Sequence, residues 1–144
     1  MKVGYKENRE YRDFLRDKIK AFNNENSPFH RESRQENSTL FIQLKEEIQG
    51  AFAGGVTASI YWNMMFIDIL FVEESHRGCG LGNKLLRELI DIARDKKCQY
   101  IALETYSFQA KDFYERHGFQ VVGALEDYPP GETYYTMRLN LVTD

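Results

Sequence analysis

Residues 64–105 set the strongest constraint on the fold. A nine-residue, almost wholly apolar run, MMFIDILFV (Met64 to Val72), leads through EESHRGCGLG into a segment that ends near Lys97, and a second apolar run, YIALET (Tyr100 to Thr105), follows. In the intervening segment Leu81, Leu85, Leu89, Ile92 and Ala93 recur at helical spacing, widened by Leu86 and Ile90, with Arg87, Asp91 and Arg94 opposite. That periodicity predicts an amphipathic helix from Gly80 to Lys97. Two strands joined through such a helix make a right-handed crossover, which sets them side by side and parallel. The first run has the composition of a central strand covered on both faces, and its single charge, Asp68, stands out.

The flanking sequence extends this unit to a mixed sheet. TLFIQLK and IQGAFAGGVTASIYW read as two strands with a turn near Glu46–Glu47, and Gly54–Gly55 within the second suggests a bulge or a close backbone approach. SFQAKDFYERHGF predicts a helix from Ser107 ended by Gly118, and FQVVGAL and TYYTMRLNL two strands around a PPG turn. Ahead of the sheet, Tyr11, Phe14, Leu15, Ile19 and Phe22 mark a helix over 8–24, broken by NNENSP. Polar residues then run to Asn37, with room for one short helical turn. The order is helix, three strands, helix, strand, helix, two strands: an α/β fold with a mixed central sheet flanked by helices. A chain of 144 residues with 42% apolar and 14% aromatic content suits a single domain, residues 1–144.

Charge and cysteine usage narrow the function. A net charge of −3 gives no general attraction to nucleic acid or to an anionic membrane. The longest apolar runs are too short to span a bilayer, and MKVGYKENREYRDF is charged throughout, unlike an export leader. Cys79 and Cys98 form no Cys/His cluster of the zinc-binding kind, so no metal is expected, and their use fits a reducing, cytoplasmic setting.

The chemistry is concentrated in HRGCGLGNKLL, where Gly78, Gly80 and Gly82 alternate between a strand and a helix. Amides at a helix start, aided by the helix dipole, hold phosphates, and glycines let a ligand approach the backbone. A bare glycine-rich turn is the alternative. A P-loop is excluded, because Asn83, Lys84 and Leu85 follow Gly82 where Lys and Ser/Thr are needed. A dinucleotide fingerprint is excluded as well, because its third glycine would fall on Asn83.

With RGCGLG at 77–82 after a central strand and FYERHGF at 113–119 after the next, the sequence resembles the GNAT (GCN5-related N-acetyltransferase) family, in particular a bacterial subgroup whose substrates are mostly unassigned. The resemblance covers residue 38 to the end, and the N-terminal third matches it as a helical, substrate-side region. It implies splayed central parallel strands, acetyl-CoA as acyl-donor co-substrate and an amine acceptor. By the same resemblance the pyrophosphate falls to Arg77, Gly78, Cys79, Gly80, Leu81 and Gly82, and pantetheine to backbone near Leu70, Phe71 and Val72. Ser107 stands seven residues before Tyr114, where many members carry Asn, and can still bond cofactor. The stretch KVGY is the one that could supply the family's short first strand. A homodimer through the C-terminal strands is a family-level expectation.

The resemblance implies acyl transfer to a primary amine of a small molecule, directly in a ternary complex. Alternatives are a protein lysine or N-terminus as acceptor, or a module that binds acyl-CoA without turnover; a nucleotide-binding protein is the remote third reading. Such transfer needs a neutral amine, a backbone N–H for the oxyanion and a proton for the thiolate. Tyr114 is the candidate acid. The glutamate that histone-acetyltransferase-like members carry on the central strand is replaced by Phe66, which leaves Asp68, two residues on and on the same face by alternation, Glu104, or a water chain as base. A buried carboxylate without a cation would titrate high enough to serve. Position also suggests Asn23, Asn24 and Tyr106 as substrate-side residues, and carboxylates at Glu25, Glu32, Glu46 and Glu47 suit a cationic acceptor.

Overall fold

The computed structural model describes residues 1–35 and 39–142, in two compact units, Met1–Ser38 and Thr39–Asp144. In the first unit, α1 (Arg9–Asn26) starts at Asn8, whose side chain accepts from the Tyr11 N–H at 3.0 Å, and ends where the Ser27 N–H bonds the Asn23 carbonyl at 2.8 Å. Its stripe of Tyr11, Phe14, Leu15, Ile19 and Phe22 is about half exposed. Pro28 does not end structure; it opens α2 (Pro28–Gln35), because proline's missing N–H costs nothing at a first helical position. The expected single turn is therefore an eight-residue helix. Residues 2–5 form no strand, so KVGY does not supply the family's first one.

The second unit is a six-stranded sheet, β1 (Leu40–Ile48), β2 (Ala51–Tyr61), β3 (Met64–Val72), β4 (Tyr100–Tyr106), β5 (Gln120–Glu126) and β6 (Thr133–Asn140), in the order β1-β2-β3-β4-β6-β5. A 3₁₀ turn at Glu74–His76 leads to α3 (Leu81–Asp95), and α4 (Lys111–Arg116) follows β4. β3 and β4 are parallel neighbours, as the crossover argument requires, and every other pairing is antiparallel. The β1–β2 turn lies at Gln49–Gly50 rather than Glu46–Glu47; both have positive φ, 53° and 78°, the twist a two-residue hairpin wants. At Glu46–Glu47 the register slips instead, with Ala53 as the extra residue on β2.

The glycine pair in β2 marks a close approach: a Cβ on Gly55 would stand 2.9 Å from the Leu44 carbonyl oxygen, and one on Gly54 3.0 Å from that of Phe71. α3 buries Leu81, Leu85, Leu86, Leu89, Ile90 and Ala93 against β2, β3 and β4. The deepest side chains are Met65, Leu86, Leu89, Ile101, Leu103, Phe119 and Met137. Cys98 lies in this core, where burial pushes its thiol up, and Cys79 is exposed; both are free.

Two expectations need correction. β3 is not covered on both faces, because Ile69 and Phe71 remain 62% and 46% exposed. The helix after β4 does not begin at Ser107 but at Lys111; residues 107–110 form a turn pinned by the Gln109 side chain, which accepts from the Tyr106 N–H at 2.8 Å.

Gly55→Ala should destabilise the protein by roughly 1–3 kcal/mol, because the obstacle is backbone that cannot rotate away. Urea unfolding measures it, and an unchanged midpoint would mean that the β1–β2 contact relaxes freely.

Candidate active site

The site is set by one irregularity in β3. Thr57 pairs with Ile69 and Ala58 with Ile67, so Asp68 is an extra residue, a β-bulge. The bulge puts the strand out of step: Met65 and Ile67 are buried before it and Leu70 and Val72 half-buried after it, while Asp68 and Ile69 are both exposed. Asp68 keeps the face of Phe66, with which it lines a groove, and Ile69 joins them on that side, so that the inward positions pass to Leu70 and Val72. The ladder between β3 and β4 ends at Ile67–Leu103. Beyond it the strands diverge around a cavity of about 200 Å³ whose lining includes Asp68, Leu70, Glu104, Gln109 and Tyr114. From Asp68 to Val72 the inner edge of β3 pairs with no strand.

Where β3 ends, the chain enters the glycine turn. Gly78 and Gly80 have φ of 77° and 85°, left-handed values that cost other residues strain, and no atom lies within 4 Å of a Cβ built on either. Gly80 caps α3 without a side-chain bond, and the first turn of α3 carries no acidic residue. The Lys84 N–H is the first to bond within the helix, to the Gly80 carbonyl at 3.0 Å, which leaves the amides of Leu81, Gly82 and Asn83 at the open terminus. A second cavity, about 270 Å³, lies there between Val72, the glycine turn, Phe113 and Arg116. A Cβ on Gly82 would stand 3.5 Å from the Phe113 ring. Arg77 turns back: its Nε donates to the Val72 carbonyl at 2.9 Å and its guanidinium lies 5.6 Å from the Phe71 ring centre. The Cys79 thiol donates to the His76 carbonyl at 2.7 Å.

Three further side chains stand around these cavities. Tyr114 is buried on α4, packed edge-on against Phe113 and Phe119, and desolvation raises its phenol above the ordinary value of 10. Glu104 is not the buried carboxylate expected from YIALET; it is exposed at the cleft. Its partner is Tyr134, whose hydroxyl donates to it, and that bond, with burial and the negative charge, pushes the Tyr134 phenol to about 12. The Ser107 hydroxyl is committed elsewhere, donating to Glu132 and accepting from the Thr133 N–H at 2.9 Å.

The structure thus gathers Asp68, Leu70, Glu104 and Tyr114 at one cleft and Val72, Arg77, Gly78, Gly80, Leu81 and Gly82 at another. Phe71 and Cys79 flank them, and Ser107 lines a third groove with Lys111 and Tyr135. Tyr134, Gln109 and Arg116 were not foreseen. Tyr134 could have been found from strand pairing, since it lies one diagonal step from Glu104 across β4 and β6; the other two carry no sequence signal.

Fold and site define a class: an α/β protein with a parallel strand pair that parts beside an open helix terminus. The model of the acetyltransferase (GNAT) family matches residues 7–119, and the chain belongs to that family. The blasticidin-S acetyltransferase of Streptomyces morookaense is 36% identical over 90 residues, 62% of this chain and 66%, just under two thirds, of that protein. The spermine/spermidine N(1)-acetyltransferase of Bacillus subtilis is 37% identical over 65 residues, 43% of each chain. The crystal structure of an acetyltransferase from Bacillus cereus superposes with a TM-score of 0.81 at 30% identity, covering 98% of this chain and 99% of that one. Family members use acetyl-CoA. No described helix is long and apolar enough to cross a membrane.

The Tyr134–Glu104 bond is testable by pH. A phenol raised in the fold stabilises it fully below its unfolded value near 10, and the contribution is lost as pH rises toward about 12. Ultraviolet titration should find one phenol ionising near pH 12 that disappears in Tyr134→Phe; its persistence in that variant would assign it to another tyrosine.

Proposed function

We propose that this chain transfers the acetyl group of acetyl-CoA to the primary amine of a small molecule, directly within a complex of protein, donor and acceptor. The observation that carries the reading is the adjacency of two features: a helix terminus open to an anion, and a strand pair parted beside a buried tyrosine. Acetyl-CoA supplies an acetyl group already activated as a thioester. The residues suit it. Leu81, Gly82 and Asn83 offer amides to the pyrophosphate without a competing cap, Arg116 adds positive charge at that cavity, and the unpaired edge of β3 offers backbone to the pantetheine arm. The Ser107 hydroxyl is already satisfied by Glu132 and Thr133, so it adds little there.

Tyr114 keeps its proton at neutral pH, because burial disfavours the phenolate, and its hydroxyl is the proton source for the leaving sulfur. Asp68 and Glu104 line the same cavity and can draw the proton from an incoming ammonium, directly or through water, since both are open to solvent. An amide on the β3 edge would face the thioester oxygen. Much of the acceleration is then the positioning of two reactants in one cleft. The small-molecule acceptor is supported by two relatives whose names specify blasticidin S and spermine or spermidine.

Two measurements test this. CoA at about a hundred times its Kd should stabilise the fold by ~2.7 kcal/mol, a Tm rise of roughly 5–10 °C; no rise would remove the donor assignment. Tyr114→Phe should lower kcat by roughly 10²-fold while the Kd for acetyl-CoA stays within about twofold. An unchanged kcat would take Tyr114 out of the proton-transfer role.

A further inference from the structure

Beside the cleft, four aromatic rings form a contiguous group that neither core packing nor proton transfer explains. Tyr106, at the end of β4, stacks on Phe108 with ring centres 5.5 Å apart and planes 6° apart. It also meets Tyr134, at the start of β6, at 5.0 Å, and Tyr134 meets Tyr128, in the β5–β6 loop, edge-on at 5.9 Å. Phe108 and Tyr128 are 62% and 57% exposed. A contiguous set of rings held in water costs free energy and marks a place where something binds.

The rings are held in position. Gln109 accepts from the Tyr106 N–H at 2.8 Å and from the Thr105 hydroxyl at 3.3 Å, which pins the turn that carries Phe108. The Ser107 N–H bonds the Thr133 carbonyl at 2.8 Å, tying that turn to β6. The loop carrying Tyr128 is closed by its own bonds: Tyr128 N–H to the Glu132 carbonyl at 3.0 Å, Glu132 N–H to the Pro129 carbonyl at 2.9 Å, and Gly131 N–H to the Asp127 side chain at 2.7 Å.

Electrostatics says what these rings suit. Residues 104–109 and 126–134 contain four carboxylates, Glu104, Glu126, Asp127 and Glu132, and neither lysine nor arginine. Glu104 touches the group directly through the Tyr134 hydroxyl and also lines the cleft that holds Tyr114. Aromatic faces and a carboxylate both attract a cation, and no described feature of these segments favours an anion. From the proposed acetyl-transfer reading, on which this rests, we infer that the acceptor carries a second positive charge, seated on the rings of Tyr106, Phe108, Tyr128 and Tyr134, while its first amine reacts in the cleft. Glu104 and Tyr106 are two strand residues apart, roughly 6–7 Å, so the acceptor is a diamine whose nitrogens are separated by a short aliphatic spacer. The second charge stays protonated throughout, and only the reacting nitrogen gives up its proton.

The test is calorimetry on protein saturated with CoA, where an amine binds but has no acetyl group to accept. The ligands are 1,4-diaminobutane and 4-amino-1-butanol, which differ by one ammonium. The diamine should bind roughly tenfold more tightly or better, and the preference should fall to near one in Phe108→Ala/Tyr128→Ala, whose side chains are outside the core. Equal binding of the two ligands, no detectable binding of the diamine, or a preference that survives the double variant would each overturn the inference. CoA stabilisation of the wild type and the Tyr114→Phe result judge the acetyl-transfer reading independently, so the two can fail separately.

Discussion

The extra residue at Asp68 is the constraint on which the rest of the site depends. A parallel strand pair kept in register along its whole length would satisfy its own backbone groups and leave nothing for a ligand. The bulge in β3 ends the β3–β4 ladder at Ile67–Leu103, and four consequences meet there: a gap between strands, an unpaired backbone edge, an altered alternation after Ile67, and room for Tyr114 to reach the gap from α4. The strands can part locally because the sheet is anchored elsewhere, by Met65 and Ile101 at the paired end and by α3 packed across β2, β3 and β4.

The same economy governs the anion-ready terminus. Its chemistry is backbone chemistry: left-handed glycines turn the chain so that the first amides of α3 face outward, and no side chain competes for them. The apolar stripe of α3 fixes the terminus by burying Leu81 and Leu85 within its first turns. One helix therefore serves two ends, its side chains turned to the core and its terminal N–H groups to the cavity.

Charge is arranged on a second scale. Glu104 reads in the sequence as the end of a buried strand, yet it emerges at the cleft because β4 loses its β3 neighbour after Leu103. Tyr106 lies two residues further along β4 on the same face, and Tyr134 sits opposite Tyr106 on the antiparallel β6, so one side of these strands becomes aromatic and acidic. Tyr135, next along β6, faces the opposite side and joins Lys111 and Ser107 in a separate groove. A single strand thus serves two surfaces, because side chains alternate.

The sequence by itself determined the parallel pair, the helix between them, the position of the glycine turn and the presence of Tyr114 in a motif, because these depend on periodicity and on residues whose backbone preferences are local. It did not determine where β3 bulges, since MMFIDILFV reads equally well as an unbroken strand, and so it missed the change of phase after Asp68 and misassigned the burial of Glu104. Nor did it show that the Ser107 hydroxyl is spent on Glu132, that α4 waits until Lys111, or that Tyr106, Phe108, Tyr128 and Tyr134 come together. Those facts were decided by strand register and loop closure, which bring residues distant in the chain into contact at a free-energy balance that no local window of sequence contains.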